Sequence, residues 1–265
     1  MGVASVADTE YRNLLVSAGA VARVVLNRPE RRNALSLELM EEMIAALRDL
    51  GGREDTRVIV VEGSGPAFSA GHDLAEMVGR EEAFLRRLFD VCTVMMESIH
   101  DLSAPVIAKV HGIATAAGCQ LVAACDLAVA AEGTRFATPG VKIGLFCSTP
   151  MVPVTRAVGR KRAMQMLLTG EPIDAATAVN WGLINRVVPA DELEPAVVAL
   201  AQAIVGSSAY TVSTGKRAFY DQVGRSEGDA YDHCKAVMTD NAQADDAQEG
   251  MSAFLEKRTP TWRGH

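Results

Sequence analysis

Two short loops built from small residues carry most of the chemistry this sequence offers. The first, Gly63 to Leu74 (GSGPAFSAGHDL), follows the apolar run Arg57 to Glu62 (RVIVVE). The second, His111 to Ala117 (HGIATAA), follows Val106 to Val110 and opens an apolar segment, Gly118 to Cys125. Small residues let a backbone approach another group closely. Where such a loop opens a helix, the first N–H groups have no partner inside the helix, and the dipole favours negative charge beside them. Two such loops brought together would form a pocket of N–H donors for an oxyanion that develops during a reaction. Taken singly, each is equally a plain tight turn. Neither reads G-x-G-x-x-G and the chain has no G-x-x-x-x-G-K-[ST], so the nucleotide-binding fingerprints are missing.

Few side chains near these loops could move a proton. His72 lies inside the first loop and either faces the reacting group or turns away into a local hydrogen bond. His111, directly after a strand, reads as a structural hydrogen-bonding residue. Cys147 and Ser148 could supply a nucleophile or a polar wall, but no matched base is evident. A Ser-His-Asp peptidase reading lacks a nucleophile motif, and no His/Cys/Asp spacing suggests a metal.

The elements that would hold these loops are legible from hydrophobic periodicity. Tyr11 to Val16 and Val21 to Leu26 alternate around Ser17-Ala18-Gly19-Ala20 and predict a hairpin. Ser36 caps a helix over Leu37 to Leu50, and Gly51-Gly52 stops it. A strand at Arg57 to Glu62 precedes the first loop. An amphipathic helix over Glu81 to His100, with Leu85, Leu88, Phe89, Cys92, Met95, Met96 and Ile99 near one face, follows it. Strands at Val106 to Val110 and Leu127 to Ala131 flank the apolar helix. Thr149 and Pro150 predict an N-cap and first position for Met151 to Val158. Helices over Lys161 to Leu168 and Ala175 to Trp181 and a strand over Leu183 to Val188 complete this part. From Asp191 onward the pattern is helical only. Strands alternating with helices to about residue 190, then helices, predict an α/β core at 1–190 and a helical region at 191–265 of the same structural unit.

Composition narrows the classes of function. The chain has 265 residues, 49% hydrophobic and 22% charged, with a formal net charge of −7 and a pI near 5.3. That balance argues against a general nucleic-acid binder, which presents a basic face. No run of ~18 uninterrupted apolar residues predicts a membrane span. Residues 1–10 are polar and small, are expected to fray, and lack the basic start and apolar core of a signal peptide. The five cysteines, Cys92, Cys119, Cys125, Cys147 and Cys234, show no C-x-x-C and read as reduced thiols. Together these features predict a cytoplasmic protein.

A set of motifs in a fixed order resembles the enoyl-CoA hydratase/isomerase (crotonase) superfamily. They are Leu26-Asn27-Arg28-Pro29 with Asn33-Ala34-Leu35, Phe68-Ser69-Ala70-Gly71-His72-Asp73-Leu74, Pro105-Val106-Ile107-Ala108, His111 to Asp126, and Phe136 to Gly144. Ala178 with Trp181-Gly182-Leu183-Ile184, and Glu249-Gly250 with Phe254 to Arg258, close the pattern. The resemblance implies a spiral of repeated ββα units with C-terminal helices that support a homotrimer or a dimer of trimers. It implies a coenzyme A thioester as substrate or ligand, with no separate cofactor and no metal. The two oxyanion donors fall on the backbone N–H groups of His72 and Ala117. The first hydratase glutamate falls on Gln120, the second on Gly140, and an aspartate used by other branches on Ser148, so all three acidic positions are non-acidic. The loop around His72 also resembles that of a decarboxylating branch, whose wall tyrosine would fall on Cys147. Ser69, Ala70, His72, Asp73 and Leu74 then frame the thioester. Arg28 and Arg31, beside Arg32, would either meet the CoA phosphates or form a solvated loop. Lys257 and Phe254 would reach a phosphate and the adenine, or serve as a helix end and core filler.

Overall fold

The computed structural model describes residues 11–265, so the expected fraying of residues 1–10 lies outside the described residues. The large sheet has the strand order β1-β2-β3-β4-β6-β9. Its strands are β1 (Leu14–Ser17), β2 (Val21–Leu26), β3 (Val58–Gly63), β4 (Val106–Val110), β6 (Leu127–Ala131) and β9 (Arg186–Val188). β1 and β2 form the antiparallel hairpin, and every later pairing in this sheet is parallel. A second, small sheet joins β5 (Ile113–Thr115), β7 (Arg135–Ala137) and β8 (Ile173–Asp174).

The chain alternates between the two sheets. β4 leads to β5 and then to helix α3 (Ala117–Ala124), and β6 leads to β7. One repeat earlier, β3 leads to Ser69, which bridges Ala114 of β5, and then to α2 (Glu82–Asp101). Earlier still, β2 leads to Leu35, which bridges His72, and then to α1 (Leu37–Gly51). Each turn is a long strand, a short strand or bridge, and a helix, which is the expected ββα spiral. The short strands are two or three residues long and carry no periodicity, so the loop expected at 111–117 contains a strand that alternation could not reveal.

Both faces of the large sheet are covered. Ile59 and Val61 of β3 face the main core with α1, α2 and α3, while Val58 and Val60 pack with Val197 and Ala201 of α7 (Leu193–Val205). A parallel strand buried on both sides reads as an unbroken apolar run, which is what VIVV is. An ionic cluster also fixes α7 to the sheet. Glu62 pairs with Arg23 at 2.9 Å and Lys109 at 2.7 Å, and both cations also pair with Glu194.

Helices α4 (Met151–Val158), α5 (Arg160–Thr169) and α6 (Ala175–Trp181) follow the small sheet, and α8 (Ala209–Gln222), α9 (Glu227–Gln243) and α10 (Asp245–Glu256) close the chain. Several boundaries differ from expectation, β1 starting at Leu14 and not at Tyr11. Thr149 does not cap α4: Pro150 holds the cap position and no side chain bonds there. The last strand starts at Arg186 because the Leu183 N–H turns back to the Ala178 carbonyl at 2.9 Å, closing α6. The C-terminal tail folds onto α10, with the Arg263 and Gly264 N–H groups donating to buried Asp246 at 2.6 and 3.0 Å.

Candidate functional site

The two small-residue loops meet. A Cβ placed on Gly71 (φ +90°) would lie 2.8 Å from the Thr115 carbonyl and 3.2 Å from the Ala117 nitrogen, so only glycine permits this approach. Ala116 adopts φ 50°, ψ −118°, a costly conformation for a residue with a Cβ, and this kink turns the chain into α3. The Ala117 N–H, first in α3, has no partner in its helix, and neither it nor the His72 N–H bonds to another backbone group among the described residues.

A buried polar scaffold holds the first loop in place. Asn33 is fully buried in the left-handed conformation (φ 53°), which asparagine tolerates better than most residues. Its Oδ1 accepts from the Arg28 N–H at 2.9 Å, and its Nδ2 donates to the Ser64 and Ala67 carbonyls at 2.8 Å each. Ser69 Oγ donates to the Asn33 carbonyl at 2.8 Å and accepts from the Gly71 N–H at 3.2 Å. Arg28 reaches across to Asp73 at 3.0 Å and to the Ala34 carbonyl at 2.7 Å. Arg28, Ser69 and Asp73 thus brace the loop that presents His72, and none of the three lines the cavity beside it. In the sequence Arg28 read either as a solvated loop cation or as a phosphate contact; in the structure it pairs with Asp73, 45 residues away.

Beside the loops lies a cavity of about 560 Å³, in the range of small-molecule sites. It brings together Ala70, His72, Leu74, Ala117, Gly140 and Ser148 from the expected set, and adds Phe89 of α2 with Ile143, Leu145 and Phe146 of the 140–147 turn. Gln120, Arg31, Phe254 and Lys257 are not among its lining residues. Phe254 is 84% exposed on α10, and Lys257 ends that helix in a left-handed cap. Phe89 was legible as part of the amphipathic face of α2. The 140–147 wall was not, because it is an irregular segment whose apolar residues show no period.

Gln120 and Gly140, the residues expected to match the hydratase glutamates, are enclosed in different ways. Gln120 is 4% exposed, and its Oε1 meets Cys92 Sγ of α2 at 4.0 Å. Gly140 is not an open gap. A Cβ there would stand 1.9 Å from the Leu145 carbonyl oxygen and 2.9 Å from Cys147 Sγ, because the chain folds back and the Leu145 N–H bonds the Gly140 carbonyl at 3.0 Å. Ser148 is exposed, and its hydroxyl lies 3.4 Å from the Phe146 carbonyl.

A profile described as Enoyl-CoA hydratase/isomerase matches residues 17–265. The chain belongs to that family. It is 47% identical over 256 residues to a Danio rerio protein named enoyl-CoA hydratase domain-containing protein 3, mitochondrial, covering 96% of this chain and 89% of the relative. A crystal structure of an enoyl-CoA hydratase from Mycobacterium smegmatis superposes with a TM-score of 0.93 at 46% identity, covering 94% of this chain and 98% of that one. The structure of the human enoyl coenzyme A hydratase domain-containing protein 3 gives a TM-score of 0.92 at 43% identity, covering 95% and 100%. These relatives correct one expectation. Vertebrate relatives of this chain, from Danio rerio, Rattus norvegicus and Homo sapiens, are named mitochondrial, so the cytoplasmic placement does not stand. The features behind it were too coarse: free thiols separate reducing from oxidising compartments and no finer.

His72 is the one imidazole lining the cavity among the described residues. Burial pushes its pKa down from 6.5 to about 4, partly offset by the nearby Leu35 backbone, so the ring is neutral near pH 7. Because the folded value lies below the unfolded one, the unfolded chain takes up the proton first as pH falls. Its contribution to stability is therefore intact above pH 6.5 and declines between 6.5 and about 4, by roughly 1.4 kcal/mol per unit within that window. Urea unfolding across this range should show the decline, and the difference in slope between the wild type and His72→Phe isolates it. Identical slopes would show that the imidazole is not buried in its neutral form.

Proposed function

We propose that this cavity binds the acyl part of a coenzyme A thioester and stabilises its enolate through the His72 and Ala117 N–H groups. The observation that carries this reading is the contact between the loops: the Gly71 backbone sits against the Ala117 nitrogen, with both candidate N–H donors unpaired beside an apolar cavity. Donors of this kind contribute about 3 kcal/mol each when water is excluded. Efficient hydration does not fit, because it needs a base for water and an acid for the α-carbon. Gln120 cannot exchange a proton near neutral pH and is turned to Cys92, and Gly140 offers no side chain.

The same vacancies favour a second reading, a binder or carrier of acyl-CoA without turnover. The decarboxylase reading is weaker. A carboxylated acyl group would look for a cation, and Lys142, the one cationic side chain lining the cavity among the described residues, is paired with Glu171 at 2.6 Å. Thioester hydrolysis by His72 would rest on a base whose pKa lies well below neutrality. For the nucleotide end of CoA, Arg31 and Lys257 are the better candidates, since both are exposed and form no ion pair among the described residues, whereas Arg28 is engaged with Asp73. Calorimetry and mass spectrometry on purified protein, with enoyl-, malonyl-type and saturated acyl-CoA, separate the readings. Rapid water addition would overturn the argument from Gln120 and Gly140. Tight binding without product would support the carrier.

The C-terminal helices leave Phe219, Tyr231, Met238, Met251, Phe254 and Leu255 between 49% and 84% exposed. Exposed large apolar side chains of this kind fit an association surface. The expected assembly is a trimer or a dimer of trimers. Light scattering after size exclusion should give three or six times the 28.2 kDa chain mass, and a monomer at micromolar concentration would remove this expectation.

A further inference from the structure

A second cavity, of about 210 Å³, lies where the chain enters β3 and β4, whereas the two small-residue loops leave those strands at their other ends. β3 has six residues, each rising ~3.3 Å, so the length of the large sheet separates the two places. Three stretches meet at this second cavity: the chain that leaves α1 for β3, Ser103 and Ala104 before β4, and the first turn of α8.

Positive charge gathers there. Ser208 caps α8 by accepting from the Thr211 N–H at 3.1 Å, but the Ala209 and Tyr210 N–H groups donate to no group among the described residues, and both residues line the cavity. The helix dipole adds partial positive charge at the same end. A cation is fixed onto that end: the Arg57 guanidinium donates to the carbonyl of Ser207, the residue before the cap, at 2.6 Å, and forms no ion pair among the described residues. Arg53 lines the cavity as well, and only its Nε is bonded, to exposed Asp55 at 3.2 Å. Glu54 is the one acid in the lining. A cation held against a helix N-terminus is unfavourable until an anion joins them.

A buried hydroxyl in the same wall points to a ligand independently. Thr56 is 8% exposed, and its Oγ1 has no hydrogen-bond partner among the described residues. Its N–H donates to the Arg53 carbonyl at 3.3 Å, a turn that brings both residues to the cavity. Valine has the same shape and would leave no donor unmet. Beyond Cβ the threonine side chain has two atoms, and a third of a turn about χ1 exchanges them, so the hydroxyl stands within one rotamer of the cavity. We infer that the start of α8, with Arg53, Thr56 and Arg57, forms a binding site for a phosphate group at the end of the large sheet opposite the acyl cavity. Phosphate suits the arrangement because its tetrahedral oxygens accept from N–H groups, a guanidinium and a hydroxyl that approach from separate directions, whereas a carboxylate presents two oxygens in one plane. The cavity falls below the ~300 Å³ lower end of pockets for larger ligands, which limits the ligand to inorganic phosphate or a small phosphomonoester. The inference does not depend on the acyl-CoA reading of the other cavity.

The test is titration of the purified protein with inorganic phosphate and with glycerol 3-phosphate, by calorimetry and by thermal unfolding, at an ionic strength held constant with chloride. The wild type should bind at least one of them, and its unfolding midpoint should rise with ligand concentration. Thr56→Val should weaken binding about tenfold, the effect of one hydrogen bond to a charged group. Its midpoint without ligand should not fall, because the hydroxyl bonds to nothing in the unliganded protein; a fall would reveal a structural partner for Oγ1 and overturn the inference. Arg57→Met should weaken binding at least as much, and its midpoint without ligand separates lost binding from lost folding. Tighter binding of the ester assigns the site to a phosphomonoester, and tighter binding of the inorganic ion assigns it to free phosphate; both uphold the inference. No binding of either up to about 10 mM, or an affinity unchanged in either variant, overturns it. So does displacement of the bound phosphate by butyryl-CoA, which would give these donors to the nucleotide end of coenzyme A. Failure by any of these routes leaves the reading of the acyl cavity intact.

Discussion

Replacing Gly140 with glutamate is expected to cost stability at or beyond the upper end of the ~1–3 kcal/mol typical of overpacking, without raising water addition to an enoyl-CoA above background. The sequence invites the opposite expectation, that restoring an acid at a vacant position restores the reaction. The geometry argues against it. A Cβ at this position would stand 1.9 Å from the Leu145 carbonyl oxygen, a contact with backbone that no rotamer relieves. The Leu145 N–H is meanwhile bonded to the Gly140 carbonyl, so moving residue 145 breaks that bond and displaces the wall formed by Ile143, Leu145 and Phe146. Gln120→Glu should behave differently. It keeps the shape of the side chain, but places a carboxyl in the buried space beside Cys92, whose own thiol burial pushes up to about 12. The same desolvation would raise the new carboxyl's pKa and keep much of it protonated. Urea unfolding of both single variants, with a hydration assay on the two singles and the double, checks this. A stable Gly140→Glu protein that hydrates an enoyl-CoA would show that the 140–147 turn can be rebuilt around the acid.

Residues 140 and 28 mark where the sequence stops speaking. A glycine in a sequence says that no side chain is present; it does not say whether the space is empty or taken by another part of the chain. At residue 140 the space is taken. An arginine on a Pro-containing loop looks like a solvated cation, and nothing local reveals that Arg28 is spoken for by Asp73. Features set by neighbours in sequence were legible. Ser36 accepts from the Leu39 N–H, as its place before a helix predicted. The long strands announced themselves by apolar runs, and the two small-residue loops by glycine and alanine. The small sheet did not, since three-residue strands have no pattern, and the spiral could be expected only through resemblance to a known family. His72 sits between these cases. Its place in the loop was legible, but the burial that lowers its pKa exists only once Phe89 and Leu35 have closed around it.

Lys216→Met is expected to destabilise the protein by about 3–5 kcal/mol, the cost of breaking a buried ion pair from one side. No motif points to Lys216; on α8 it looks like one polar position among many. In the structure its side chain is 6% exposed and its ammonium makes three hydrogen bonds, to the Ile99 carbonyl at 2.8 Å, the Ala104 carbonyl at 3.0 Å and Asp126 Oδ2 at 2.7 Å. All three of its donors are therefore used. Burial pulls its pKa down and Asp126 pulls it back up, so its charge depends on that partner. Asp126 in turn accepts from the Val106 N–H at 2.6 Å and the Tyr220 hydroxyl at 2.7 Å, and Tyr220 stacks on His100 at 4.0 Å. One lysine thus ties the end of α2, the start of β4 and the chain between α3 and β6 to the C-terminal helices. Methionine would fill the stem's volume but leave two carbonyls unpaired and a carboxylate without its cation. If that uncompensated charge is the main cost, adding Asp126→Asn should recover part of the loss, since a neutral amide keeps one oxygen to accept from the Val106 N–H and its NH2 can donate to the Tyr220 hydroxyl oxygen. Urea unfolding of the single and double variants measures both terms. A loss below about 1 kcal/mol in Lys216→Met would place this pair among exposed bridges that contribute little, and the docking of α8 would then have to rest on its apolar contacts alone.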